Sequence, residues 1–239
     1  MNMSIIASAR LRERPFEYAA NGVTVVLKAG RGAGVTGQVD GDSSGKNYTA
    51  VNETQLRAII NEGDANTDLT GFCTTLVTNM EQNGINTFYP SPFINSGSNQ
   101  NISSWDVSNV TSMQGIFSDA TAFNQPLNNW DVSNVTNMRE VFRGATSFNQ
   151  PLNSWDVSQV TNMSDVFKET TSFNQPLDNW DVSNVTLVNF NRMFENALAF
   201  NQDLSGWCVS NTISEPQRFD TGADAWVLAN SRPIWGTCP

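Results

Sequence analysis

Four aspartates recur at a constant step of 25 residues, Asp106, Asp131, Asp156 and Asp181, each inside the tetrapeptide W-D-V-S. Carboxylates repeated in file offer the oxygen ligands that a hard cation such as calcium takes. The same spacing also suits a structural part. An aspartate two residues ahead of a serine accepts that serine's backbone N–H in an Asx-turn, here Ser108, Ser133, Ser158 and Ser183. Units stacked in register would bring like charges within about 5 Å, which is unfavourable unless each is compensated. The turn is the expected role. Each unit supplies only one ligand to the file, and the glycine-rich nonapeptide of calcium-binding β-solenoids is absent.

Other columns repeat with the same step, lengthened to 27 in the last unit. Asn124, Asn149, Asn174 and Asn201 follow a phenylalanine in every unit. They could face a ligand, but an internal ladder satisfying backbone groups at a turn is the expectation. Trp105, Trp130, Trp155 and Trp180 could form an exposed strip for glycans; a tryptophan at the same place in every unit reads rather as core. Thr111, Thr136, Thr161 and Thr186 make a single file, where an ice-binding face would want two or more. Gln114, Arg139, Glu140, Arg143, Asp165, Lys168, Glu169 and Glu195 change identity between units. Variable positions in a repeat array normally face solvent, so a specific partner would be read there; a solvated charged face is the alternative.

Composition removes several functions. The chain contains no histidine, hence no imidazole base, proton shuttle or metal ligand, and it offers no Ser/His or Cys/His pair. No catalytic residue, cofactor or metal site is assigned, calcium at the aspartate file being the one alternative. Formal net charge is −10 with no basic stripe, which argues against nucleic acid. No stretch has the length of a membrane span, and the N-terminus lacks the apolar segment of a signal peptide. Synthesis in the cytoplasm is therefore expected.

Positioning these columns requires an element that repeats with them. A period in the 20–50 range signals a solenoid, because one such unit cannot bury its apolar face alone. The apolar positions of one unit, Leu127, Trp130, Val132, Val135, Met138, Val141 and Phe142, suit neither a long helix nor a long strand. They predict a coil with a short strand around Trp130–Val135 and a short helix or 3-10 turn around Asn137–Gly144. Pro126, Pro151 and Pro176 mark one direction change per coil, and two extra residues between Val185 and Phe194 predict a local bulge. Residues 101–207 form this array and 208–239 a closing cap. Residues 47–100 read as an N-terminal cap: Asn52 and Gln55 give a capping-box variant, Leu56, Ile59 and Ile60 an apolar stripe, and Gly63 a stop. Val77-Thr78-Asn79-Met80 imitates the later Val-Thr-Asn-Met and marks a degenerate first repeat, with an insertion carrying Pro90 and Pro92. Residues 1–46 hold a strand near Val23–Leu27 and then a glycine-rich run; GRGAGVTG lacks the lysine of a phosphate loop. They read as an extended anchoring arm or linker without a core of its own.

FNQPLNNWDVSNVTNM resembles the short-repeat leucine-rich surface proteins of the BspA-like type over about residues 72–207. The flanks are similar as well, YTAVNETQLRAIINEG to the family's helical cap and the stretch from Leu204 to Pro239 to its closing segment. The resemblance implies an α/β solenoid, right-handed, that binds macromolecules or extends a surface, with no catalytic residues to carry over. It also points to pairing of Cys208 with Cys238, leaving Cys73 as a buried thiol. The family's export signal, lipid-attachment cysteine and sorting tail have no counterpart here. The expectation is a virion or phage-like particle component, held by residues 1–46 to other proteins of the assembly, its array displayed on the particle exterior toward a host-surface protein or glycan. A free-standing adhesin or receptor-binding module at the cell surface is the alternative. A homo-oligomer is compatible with either.

Overall fold

The computed structural model describes residues 16–18, 25–27, 31–37, 46, 48–52, 54–56, 68–70, 72–80, 99–227 and 231–239. Strands β1 (Phe16–Tyr18) and β2 (Val25–Leu27) pair antiparallel, Phe16 opposite Leu27. A second sheet has the order β3 (Thr36–Gly37), β4 (Tyr48–Asn52), β5 (Phe72–Leu76), with β3 antiparallel and β5 parallel to β4. Gly34, at φ +83°, turns the chain into β3, and its N–H donates to the Ala50 carbonyl at 2.8 Å. Residues 34–37 therefore dock on this chain's own N-terminal cap. Thr36 and Gly37, near the end of the arm read in the sequence, thus pair within the chain, which satisfies their backbone groups.

The helix start at Asn52 is closed reciprocally. The Gln55 N–H donates to Asn52 Oδ1 at 2.9 Å, and the Asn52 N–H to Gln55 Oε1 at 3.1 Å. Leu56 buries beneath it, while Ile59, Ile60, Gly63, Pro90 and Pro92 lie outside the described residues, as does the Cys73 side chain. Past β5 the chain enters the repeat. Asn79 pairs in parallel with Ser112, Ser112 with Asn137 and Asn137 with Asn162, so Val77–Met80 lies alongside Val110–Met113.

Within residues 101–207 the expected strand is replaced by turns. Trp130 N–H donates to the Leu127 carbonyl and Val135 N–H to the Val132 carbonyl, and parallel pairing falls two residues later, at Asn137. Residues 138–144 form neither α-helix nor 3-10 helix but a ribbon of consecutive turns. The N–H groups of Met138, Glu140, Phe142 and Gly144 donate to the carbonyls of Asn162, Ser164, Val166 and Lys168, each 24 residues ahead. The residues between them bond locally, Val141 to Met138 and Arg143 to Glu140. Positive φ at Glu140 (+59°) and Gly144 (+67°) breaks helical continuity every fourth residue and swings alternate N–H groups outward to the next unit. The same bonding joins 113–119 to 137–143, 163–169 to 189–195, and 192–196 to 217–221. We call these ribbons layers one to four, with residues 216–223 as the cap layer. Where the two extra residues were expected to bulge, a 3-10 helix runs over Leu187–Phe190.

Layers meet through aromatic files. Phe117, Phe142, Phe167 and Phe194 stack at 5.4–5.7 Å, and Phe123, Phe148, Phe173 and Phe200 at 6.0–6.1 Å, rings near parallel. These rings are fully buried. The file ends at the cap, where Trp226 meets Phe194 and Phe200 edge-on and Trp235 does the same to Phe190 and Phe219. Cys208 and Cys238, the pair the resemblance points to, are joined by a disulfide beside this roof.

Candidate functional site

The array has two chemically different edges. On the W-D-V-S edge each aspartate closes its own turn. Asp106, Asp131, Asp156 and Asp181 Oδ1 accept the backbone N–H of Ser108, Ser133, Ser158 and Ser183 at 3.0–3.1 Å. Asp203 stands in the column that Pro126, Pro151 and Pro176 hold and closes a turn of the same kind with Ser205, while the W-D-V-S column itself continues as Cys208. The Ser158 hydroxyl and backbone N–H hold the Asp156 carboxyl below its ordinary range; Ser205 acts likewise on Asp203, its backbone N–H first. Asp106 is buried against the N-terminal cap, where Thr74 Oγ1 donates to the Asp106 carbonyl, and the other three are exposed. Among the described residues no group of three or more His, Cys, Asp or Glu side chains gathers as metal ligands.

The tryptophans lie in the core, Trp105, Trp130, Trp155 and Trp180 being at most 3% exposed. Each indole N–H has a fixed acceptor one layer back: Trp130 on Ile102, Trp155 on Leu127, Trp180 on Leu152, Trp207 on Leu177. The Leu127 carbonyl thereby takes two donors, the Trp155 indole and the Trp130 backbone N–H. Asn124, Asn149 and Asn174 Oδ1 accept the backbone N–H of Asn149, Asn174 and Asn201 at 2.9–3.0 Å, and Asn201 accepts from Val227. Gln150, Gln175 and Gln202 add a second donor to each of the first three. The exposed threonine file is tied in too, with Thr136 and Thr161 hydroxyls donating to the carbonyls of Thr111 and Thr136.

The second edge is the turn ribbon, and it carries all five Lys and Arg side chains of residues 101–227. Arg143 pairs with Asp119 at 3.1 Å, Arg192 with Asp165 at 2.9 Å, Lys168 with Glu195 at 3.5 Å, and Arg218 with Glu195 at 2.6 Å. Each of these joins neighbouring layers. Arg139–Glu140 and Lys168–Glu169 pair within a layer. Gln114, Arg139, Glu140, Arg143, Lys168 and Glu169 are part-exposed. Asp165 and Glu195 are not partner-facing: both are 2% exposed, because inter-layer cations draw their carboxylates into the seam. Burial pushes the Asp165 carboxyl up, against the opposing pull of Arg192.

Asp119, Arg192 and Arg218 belong to this network, and Asn196 to the ribbon that carries it; all four were missed by the sequence reading. Their signal was present but dispersed. Columns 115/140/165/192/218 and 119/144/169/196/222 all have positive φ, and each contains glycines in some units and Asp, Asn, Glu or Arg in others. A column alternating glycine with short polar residues marks a left-handed position.

The chain matches the family described as "Mycoplasma protein of unknown function, DUF285" over residues 54–159 and again, overlapping, over 127–226. The protein belongs to that family, a repeat family consistent with the BspA-like resemblance. No curated protein and no solved structure matches the chain. Among the described residues no helix is long and apolar enough to cross a membrane.

Proposed function

We propose that the chain is a non-enzymatic surface-interaction protein, an α/β solenoid of the leucine-rich, BspA-like kind. Its array projects from a larger assembly, a phage virion or phage-like particle, and binds a host surface or another macromolecule. One observation carries the reading. Every repeated side chain with chemical potential, Asp, Asn and Trp alike, already has a partner that fixes a turn or bonds a layer to its neighbour. A molecule whose reactive groups maintain its own length and surface suits display rather than turnover. Residues 1–46 are the proposed attachment. They precede the N-terminal cap, and their basic residues, apart from Lys46, precede or open the glycine run while the array is acidic.

Mass spectrometry of purified particles and of washed cell surfaces from the same culture tests this. The protein is expected in the particle fraction, cross-linked to other particle proteins through residues 1–46. Recovery from the cell surface alone, with no particle association, supports the free-standing adhesin instead. A soluble turnover activity abolished by substituting Asp131, Asp156 or Asp181 while the fold persists would overturn both readings.

A further inference from the structure

The repeats present an assembly problem that the turn ribbon addresses. Their core columns are nearly interchangeable: tryptophan, valine, methionine and phenylalanine recur in the same places, and the layers bond through the same backbone groups. Nothing in the aromatic files distinguishes the second unit from the third, or either from a unit of another copy. A chain of near-identical units therefore invites stacking out of order.

The variable columns distinguish them. At the first junction Asp119 leans into the space above Gly144: a Cβ on Gly144 would lie 2.2 Å from Asp119 Oδ1. At the last, a Cβ on Gly222 would lie 2.3 Å from Asn196 Oδ1. A side chain at that position on the next layer seats only if the Asp119 carboxylate or the Asn196 amide turns aside. If layer three seated on layer one, Glu169 would replace Gly144, bringing its Cβ into Asp119 and setting two carboxylates together. Charge keys the remaining contacts. Buried Asp165 of layer three faces Arg192 of layer four, and buried Glu195 lies between Lys168 below and Arg218 above. Layer three on a second copy of itself would place Asp165 on Asp165, two desolvated like charges. Between layers two and three no ion pair crosses among the described residues, so three of the four junctions are keyed.

We propose that the turn ribbon is a register key. Its unit-to-unit variation specifies which layer follows which at three of the four junctions, and it disfavours out-of-order stacking with the units of a second copy. The variation then serves the chain's own assembly, with layers one, three and four chemically addressed to the layer that follows.

The test is refolding of the full chain from urea over a range of protein concentrations. Light scattering after size exclusion reads the mass, and cross-linking mass spectrometry identifies which units touch. The native protein is expected to return as monomer with links only between consecutive units. The triple variant D119A/D165N/E195Q keeps the core and removes the key. Its out-of-order dimer fraction should rise about tenfold, which corresponds to roughly 1.4 kcal/mol of lost discrimination. Should the triple variant not fold, D165R and the charge-reversed pair D165R/R192D decide: the single variant should misassemble and the reversed pair should return as monomer. The proposal is overturned if the triple variant refolds as monomer at every concentration, if its dimers exchange units in native order, or if the reversed pair misassembles as much as D165R.

Discussion

Replacing Trp155 by phenylalanine separates a structural tryptophan column from a ligand-facing one. Trp155 is 3% exposed, packs 6.1 Å from Phe142 between ring centroids, and donates its indole N–H to the Leu127 carbonyl at 2.9 Å. The exchange removes the fused pyrrole and leaves a void of about 35 Å³, worth about 0.9 kcal/mol at the usual cavity coefficient. The apolar surface no longer buried adds about 1 kcal/mol. The lost hydrogen bond adds about 1 kcal/mol and no more, because the Leu127 carbonyl keeps the Trp130 backbone N–H and is not orphaned. Together these predict a loss of about 3 kcal/mol. Urea unfolding followed by far-UV circular dichroism, with the slope unchanged, measures it. A loss below about 0.5 kcal/mol would refute the reasoning, since that is what an exposed aromatic strip would show.

Four further outcomes are expected. Asn149→Ala leaves the Asn174 N–H and the Gln175 amide without their shared acceptor and should cost about 1–3 kcal/mol in the same assay, whereas Asn149→Asp keeps an acceptor and should cost less. Gly222→Ala meets both a positive φ of +79° and the Asn196 amide; it should destabilise by more than the roughly 1–2 kcal/mol of the backbone conformation alone, and Asn196→Gly should recover the excess. Two opposite pH dependences should appear in thermal melts between pH 3 and 7. Asp156 and Asp203 have lowered values, so their contribution is present above their ordinary value and lost as pH falls through the folded one; Asp165 is raised, so its contribution is present at low pH and lost as pH rises, and Asp165→Asn should compare better with the native protein at pH 7 than at pH 4. Removing the Cys208–Cys238 bond, which spans a sequence separation of 30, should cost about 3–4 kcal/mol, read as a shift in the urea midpoint between oxidised and reduced protein.

The features legible in the sequence are those that repeat identically. The W-D-V-S turn, the asparagine ladder and the tryptophan column each involve one residue type at one spacing, and the physics of one unit holds for all. The ribbon was illegible for the opposite reason. Its left-handed positions are filled by Gly115, Glu140, Asp165, Arg192 and Arg218 in turn, so no single unit announces them. Apolar steps of three through Val135, Met138 and Val141 are shared by a short helix and by consecutive turns; only the outward N–H groups bonded 24 residues ahead separate the two. Charged side chains that change from unit to unit look solvent-facing in one sequence. Asp165 and Glu195 are buried because their cations lie one layer away, a pairing no single unit contains.

Scalar couplings across hydrogen bonds, recorded by NMR on deuterated and doubly labelled protein, test the layered bonding most directly. The amide nitrogens of Met138, Glu140, Phe142 and Gly144 should correlate with the carbonyl carbons of Asn162, Ser164, Val166 and Lys168. Correlations from these amides to carbonyls three or four residues back instead would mean an ordinary helix, and would contradict the account.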